Sequence, residues 1–251
     1  MLIGLFVTLN WIGGGRCVNA GMSDYGDAPQ GIPTGYPPQP GMIGSFPSSG
    51  ANNGANADVQ CNFWIGEKVS GEADYNDPAD PDPTHFNPRP PGPPPVPNMR
   101  SDYDDGIGWT WYTDPNAGPS RLPSDLVVQV EIQSNQVRED LVANVLMDLD
   151  MNGNWDTPGT NGEEWIIRNY RIPVVQAAHQ TVDLPQIRFP VPGMSEATMP
   201  ECFWMRVAIT NQPVEIGLWD GTGTLGEGEI EDQMVHPTTK AGDCRSPQPL
   251  Q

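Results

Sequence analysis

The sequence predicts an all-β protein, a β-sandwich of two antiparallel sheets with long Pro- and Gly-rich loops. Three observations carry the prediction. Apolar runs from residue 123 onward are short and are separated by Asn, Gly and Pro. Within 202–210, Phe203, Met205, Val207 and Ile209 alternate with Trp204, Arg206, Ala208 and Thr210, the period of a strand with one buried face. No segment sustains helical periodicity over the roughly ten to twelve residues a helix needs, and 28 glycines and 29 prolines interrupt the 251-residue chain.

Residues 1–20 read as a secretory leader, with an apolar stretch at 2–12 and small residues near a cleavage point after Ala20. The apolar stretch is too short to span a bilayer, and no later segment resembles a span, so the mature form is expected to carry none. Residues 21–245 read as a single domain and 246–251 as a tail. Residues 40–59, rich in Gly, Ser, Asn and Ala, read as loop. Cys61–Ile65 is a short strand candidate. The segment 78–97 holds ten prolines and reads as a stiff polyproline insertion. Gly108–Tyr112 is a second short strand. Leu126–Ile132, Leu141–Leu149, Trp165–Ile172, Thr181–Leu184, Cys202–Thr210 and Ile230–Val235 complete the set. Export favours a disulfide among Cys17, Cys61, Cys202 and Cys244; Cys202–Cys244 and Cys61–Cys202 are both open.

The charge balance narrows function. Asp and Glu number 32 against 12 Lys and Arg, a net charge of −20, and the lysines are Lys68 and Lys240. Nucleic-acid binding, which needs clustered cations, is excluded on this ground. Excess carboxylate suits a divalent cation or a solubilising surface.

The most specific local feature is Asp148-Leu-Asp150-Met-Asn152-Gly153-Asn154-Trp-Asp156. Oxygen-bearing side chains fall on alternate positions and a glycine stands where a loop must turn, the spacing by which one loop wraps a hard cation such as calcium. Position 12, a bidentate Glu in a helical calcium loop, is Gly159 here. Glu163 and Glu164 lie just beyond and are placed to supply the missing carboxylate. The expected calcium ligands are therefore Asp148, Asp150, Asn152, Asn154, Asp156, Glu163 and Glu164. The competing reading is an acidic turn held by Asx bonds. Acidic clusters at Asp24–Asp27, Asp102–Asp105 and Glu229–Asp232 either join a second ion or cap the sheets through carboxylate-to-backbone bonds.

These clusters together resemble the GEVED domain family of exported and cell-surface bacterial proteins. Gly228-Glu229-Ile230-Glu231-Asp232 is similar to the motif the family is named for. The opening Asp24-Tyr25-Gly26-Asp27-Ala28-Pro29, the middle Trp64-Ile65-Gly66 with Gly71-Glu72-Ala73-Asp74, Asp104-Asp105-Gly106-Ile107, the loop Asp148–Trp155 followed by Glu163-Glu164, and Phe203–Val207 resemble the family's other motifs in order. The extra residues 158–162 and the Pro-rich stretch 86–97 depart from the pattern. The resemblance implies an extracellular, calcium-bearing β-sandwich with an adhesive or structural role and no catalysis.

The expectation is thus a secreted, calcium-stabilised structural or adhesive protein that joins a cell-surface protein or self-assembles through strand edges. An enzyme is disfavoured: His85, His179 and His236 lie in no nucleophile or metal motif, and the neighbouring carboxylates Glu163 and Glu164 are a weak basis for glycoside hydrolysis. The alternative is a carbohydrate-binding module that stacks sugars on Trp109, Trp111, Trp155 and Trp219.

Overall fold

The computed structural model describes residues 16–18, 22–36, 41–66, 68–70, 106–112, 125–155, 164–189, 202–215 and 219–235. In chain order its strands are β1 Arg16–Val18, β2 Ser23–Tyr25, β3 Gln30–Pro33, β4 Ile43–Ser45, β5 Asn56–Asp58, β6 Phe63–Ile65, β7 Lys68–Ser70, β8 Ile107–Tyr112, β9 Asp125–Ser134, β10 Val142–Met147, β11 Trp165–Arg171, β12 Ala178–Asp183, β13 Ile187–Arg188, β14 Phe203–Thr210 and β15 Thr224–Val235. A 3-10 turn at Gly50–Asn52 is the one helical element among the described residues. The structure is largely all-β, with multiple antiparallel sheets in a sandwich-like arrangement.

Six strands form one sheet in the order β11-β10-β14-β15-β5-β2. A second sheet is built on β9, with β12 and β13 along one side and β8 and β6 along the other. Along β9, Leu126, Val128, Val130 and Ile132 are buried on one face. They meet Ala143, Val145 and Met147 of β10 and Phe203, Met205, Val207 and Ile209 of β14 in one hydrophobic cluster. The period of two read from sequence therefore selects the faces that the two sheets turn to each other.

Two features go beyond a plain pair of antiparallel sheets. Pairs β1–β7 and β3–β4 form separate two-stranded sheets, and the pairings β1–β7 and β15–β5 are parallel. The tripeptide Arg16–Val18 falls within the segment read as a leader; the rest of residues 1–15 and 19–21 lies outside the described residues. So do the proline-rich insertion 78–97, the acidic cluster 102–105 and the tail.

All eight residues of β14 are buried, against an expectation of one buried face. The reason is the segment 22–58, whose Ala28, Tyr36, Phe46, Ala55 and Ala57 pack with Trp204 and Ala208 in a second cluster that also holds Trp155, Trp165 and Trp219. Its part 40–59 read as loop because the strands there, β4 and β5, are only three residues long in a stretch rich in Gly, Ser and Asn. Similarly, β15 begins at Thr224 rather than Ile230 because Gly226 and Gly228 mask its early part from propensity. Gly228 is required there, since a side chain would overlap the Ile209 carbonyl of the neighbouring strand. Cys61 and Cys202 are both disulfide-bonded.

Candidate metal centre

Strand β10 leads through Asp148 into the acidic loop, and β11 starts immediately after Glu164, so two neighbouring strands bring the ends of the loop together. Met147 N–H donates to Glu164 O (2.9 Å) and Asp148 N–H to Trp204 O (3.0 Å), extending the sheet to the mouth of the loop. Oxygens of Asp148, Asp150 and Glu164 come within 4.8 Å of one another, the grouping in which a metal ion could be held. Asp148 and Glu164 are buried and Asp150 is exposed. An all-carboxylate set lacks the nitrogen and sulfur donors that zinc favours and fits a hard cation such as calcium or magnesium.

The loop is also organised by its own side chains. Asn152 N–H donates to Asp148 Oδ1 and Asp150 Oδ1, each at 3.0 Å, and Asn154 N–H to Asn152 Oδ1 at 2.8 Å. These are the Asx bonds of the competing reading, and the left-handed Met151 (φ 56°) and Gly153 (φ 80°) complete the reversal. Asp148 Oδ2 accepts from the Gly153 N–H (2.8 Å) and from the Tyr36 hydroxyl (2.6 Å), which occupies both its lone pairs. Oδ1 keeps a lone pair, so a cation would draw on that oxygen, on Asp150 and on Glu164. Glu164 is fixed in turn by accepting from Leu149 N–H at 3.0 Å.

Burial pushes the Asp148 carboxyl up to about 7, with a further contribution from the Asp150 charge; the bonds from Tyr36, Gly153 and Asn152 oppose the rise. Burial and the adjacent Asp148 charge raise the Tyr36 hydroxyl as well.

Of the seven expected ligands, the structure gathers Asp148, Asp150 and Glu164. Asn152 lies in the loop with its carbonyl oxygen engaged by Asn154 N–H, and Asn154 lines a neighbouring cleft. Asp156 and Glu163 lie outside the described residues. Spacing did not point to Tyr36, which arrives from a distant loop and bears on the site only through the fold.

The remaining described acidic motifs make backbone bonds. Asp24 Oδ2 accepts from Ile230 N–H (2.6 Å), Asp232 Oδ2 from Ala28 N–H (2.6 Å), and Glu229 from Ile65 N–H. They tie β15 to β2, to the turn that follows β2 and, across to the second sheet, to β6. His179 contacts Glu131 across the outer side of β9 and β12. His85 and His236 lie outside the described residues. Trp155 and Trp219 are buried at 2% and 3% exposure, so neither presents a face for sugar stacking. Trp109 packs against the core cluster. No helix among the described residues is long and apolar enough to cross a membrane. No protein-family model matches the chain, and no curated protein matches it.

Proposed function

We propose that this chain is a calcium-stabilised, extracellular structural or adhesive protein, a two-sheet β-sandwich that holds the ion at its acidic loop. The observation that carries the reading is the convergence of Asp148, Asp150 and Glu164 at the ends of β10 and β11. Calcium would replace the proton that burial favours on Asp148 and would neutralise its two neighbours, ordering the strand ends. Residues Asp156 and Glu163 are proposed to complete the ligand set. The bonded state of Cys61 and Cys202 supports an oxidising, exported setting. The ordered motif resemblance to GEVED domains supports the same placement.

Removing calcium should lower the thermal midpoint, because the ion binds the folded loop in preference to the unfolded one. The test is thermal unfolding across a chelator titration, with elemental analysis of the purified protein. A midpoint that does not move, together with no bound calcium, defeats the proposal.

A further inference from the structure

Beside the acidic loop lies a separate cleft of about 530 Å³, within the size range of small-ligand sites, roughly 300–1,000 Å³. Its wall is assembled from distant parts of the chain: Gly31 of β3, Asn52 of the 3-10 turn, Asn154 and Trp155 of the acidic loop, and Asp220 and Thr222 before β15. The geometry points to this cleft as a binding site for a neutral carbohydrate.

The polar groups carry the inference. Asp220 Oδ1 is committed to Thr222, accepting from its N–H (3.3 Å) and its hydroxyl (2.5 Å). Among the described residues Asp220 Oδ2 and the side-chain amides of Asn52 and Asn154 make no hydrogen bond, so the cleft offers one spare carboxylate oxygen and two spare amides. An amide both donates and accepts and a carboxylate accepts. Vicinal ring hydroxyls, each able to do both, match such a set. Gly31 adds room: no atom stands within 4 Å of the place where its side chain would begin, so a ring can approach the backbone closely.

Other ligand classes fit less well. The lining contains no Lys or Arg and includes Asp220, which disfavours phosphates and acidic sugars. Trp155 is 2% exposed, which leaves too little apolar surface for a lipid chain. A peptide strand calls for a row of backbone groups, whereas the spare polar atoms here are side chains on three separate turns. Recognition is therefore by hydrogen bonds rather than by ring stacking.

The test is isothermal titration of the full chain with neutral cello-, manno- and chito-oligosaccharides, using oligogalacturonate and a mixed tripeptide pool as counter-probes. Asn52→Ala and Asp220→Asn are titrated in parallel; Asn52 sits on an exposed turn, so its variant stays informative even if Asp220→Asn unfolds. At least one neutral oligosaccharide should bind, and each folded variant should weaken it by roughly tenfold with an unchanged thermal midpoint. No neutral binding, binding indifferent to Asn52→Ala, or preference for the acidic oligomer or the peptides overturns the inference. Neither substituted residue belongs to the proposed calcium ligands, so this result and the chelator result stand or fall separately.

Discussion

Arg206 and Asp232 form a two-pronged ion pair, Nε to Oδ1 at 2.8 Å and Nη2 to Oδ2 at 2.7 Å, with both side chains wholly out of solvent. The pair joins β14 to β15 at directly opposed register positions. The remaining guanidinium donors are also used: Nη1 donates to Pro47 O (3.2 Å) and Gly221 O (2.9 Å), and Nη2 also donates to Ser48 Oγ (3.2 Å). The Trp155 ring lies 5.5 Å from the guanidinium carbon. One arginine thus ties the 22–58 segment, the turn before β15 and Trp155 of the acidic loop into a single hub. Complete hydrogen bonding is what makes a buried charge tolerable.

Arg206→Met leaves the buried Asp232 side chain without its partner. The loss of stability should be about 3–5 kcal/mol, read from urea unfolding at neutral pH. A loss under about 1 kcal/mol would mean that water reaches the site.

Gly26 passes directly over this hub, and a side chain there would overlap Arg206 Nη2 and Asp232 Oδ2. Its requirement is space rather than an unusual dihedral. Gly26→Ala should therefore cost about 1–3 kcal/mol through overpacking. Gly41→Ala is the matched control, because nothing stands within 4 Å of that position. Equal unfolding midpoints for the two variants would contradict the packing argument.

The sequence reading reached the long strands because each carries its own period. For β14 it found the alternation and the inward set Phe203, Met205, Val207 and Ile209. It did not reach the burial of Arg206 on the other face, since the residues that cover it, Pro47, Ser48 and Gly221, are distant and unpatterned. The acidic loop was legible for a similar reason: Asp148 and Asp150 stand two apart in one turn, so their convergence is local. Glu164 was reachable as a residue just beyond that turn. Tyr36 was not, because a lone tyrosine between prolines carries no spacing signal. The two clusters Asp24–Asp27 and Glu229–Asp232 left ion binding and capping both open, and the bonds from Ile230 N–H and Ala28 N–H favour capping.

Tyr36→Phe tests how the loop is held from outside. The hydroxyl donates to Asp148 Oδ2 and accepts from Trp204 N–H at 3.2 Å, so its removal takes two bonds from a buried site. The expected cost is about 1–3 kcal/mol. With one stabilising donor gone, the Asp148 carboxyl should titrate higher than in the parent protein, an outcome that carboxyl carbon NMR can follow. A titration that stays put would separate Tyr36 from the site.

Asp148 gives the acidic loop a pH dependence opposite to that of an ion-paired carboxylate. Its folded-state value of about 7 lies above the ordinary 3.8, so between these values the folded protein holds a proton that the unfolded chain has released. The contribution to stability is fully present below about pH 4 and is lost as pH rises to about 7. Asp140, held low by the Arg138 guanidinium that hydrogen-bonds it, behaves the other way: its contribution is lost on acidification. Asp148→Asn removes the titration while keeping a side-chain oxygen for the loop. In chelator, the stability of the parent relative to Asp148→Asn should fall across pH 4 to 7 by a few kcal/mol at most, about 1.4 for each pH unit over which the proton is retained. Saturating calcium should flatten that fall, because the ion takes the place of the proton on Asp148. Urea unfolding of both proteins over this pH range, with and without calcium, reads all four curves. A parent-minus-variant difference that is level in chelator removes Asp148 as the titrating group, and one that calcium leaves unchanged removes it as a ligand.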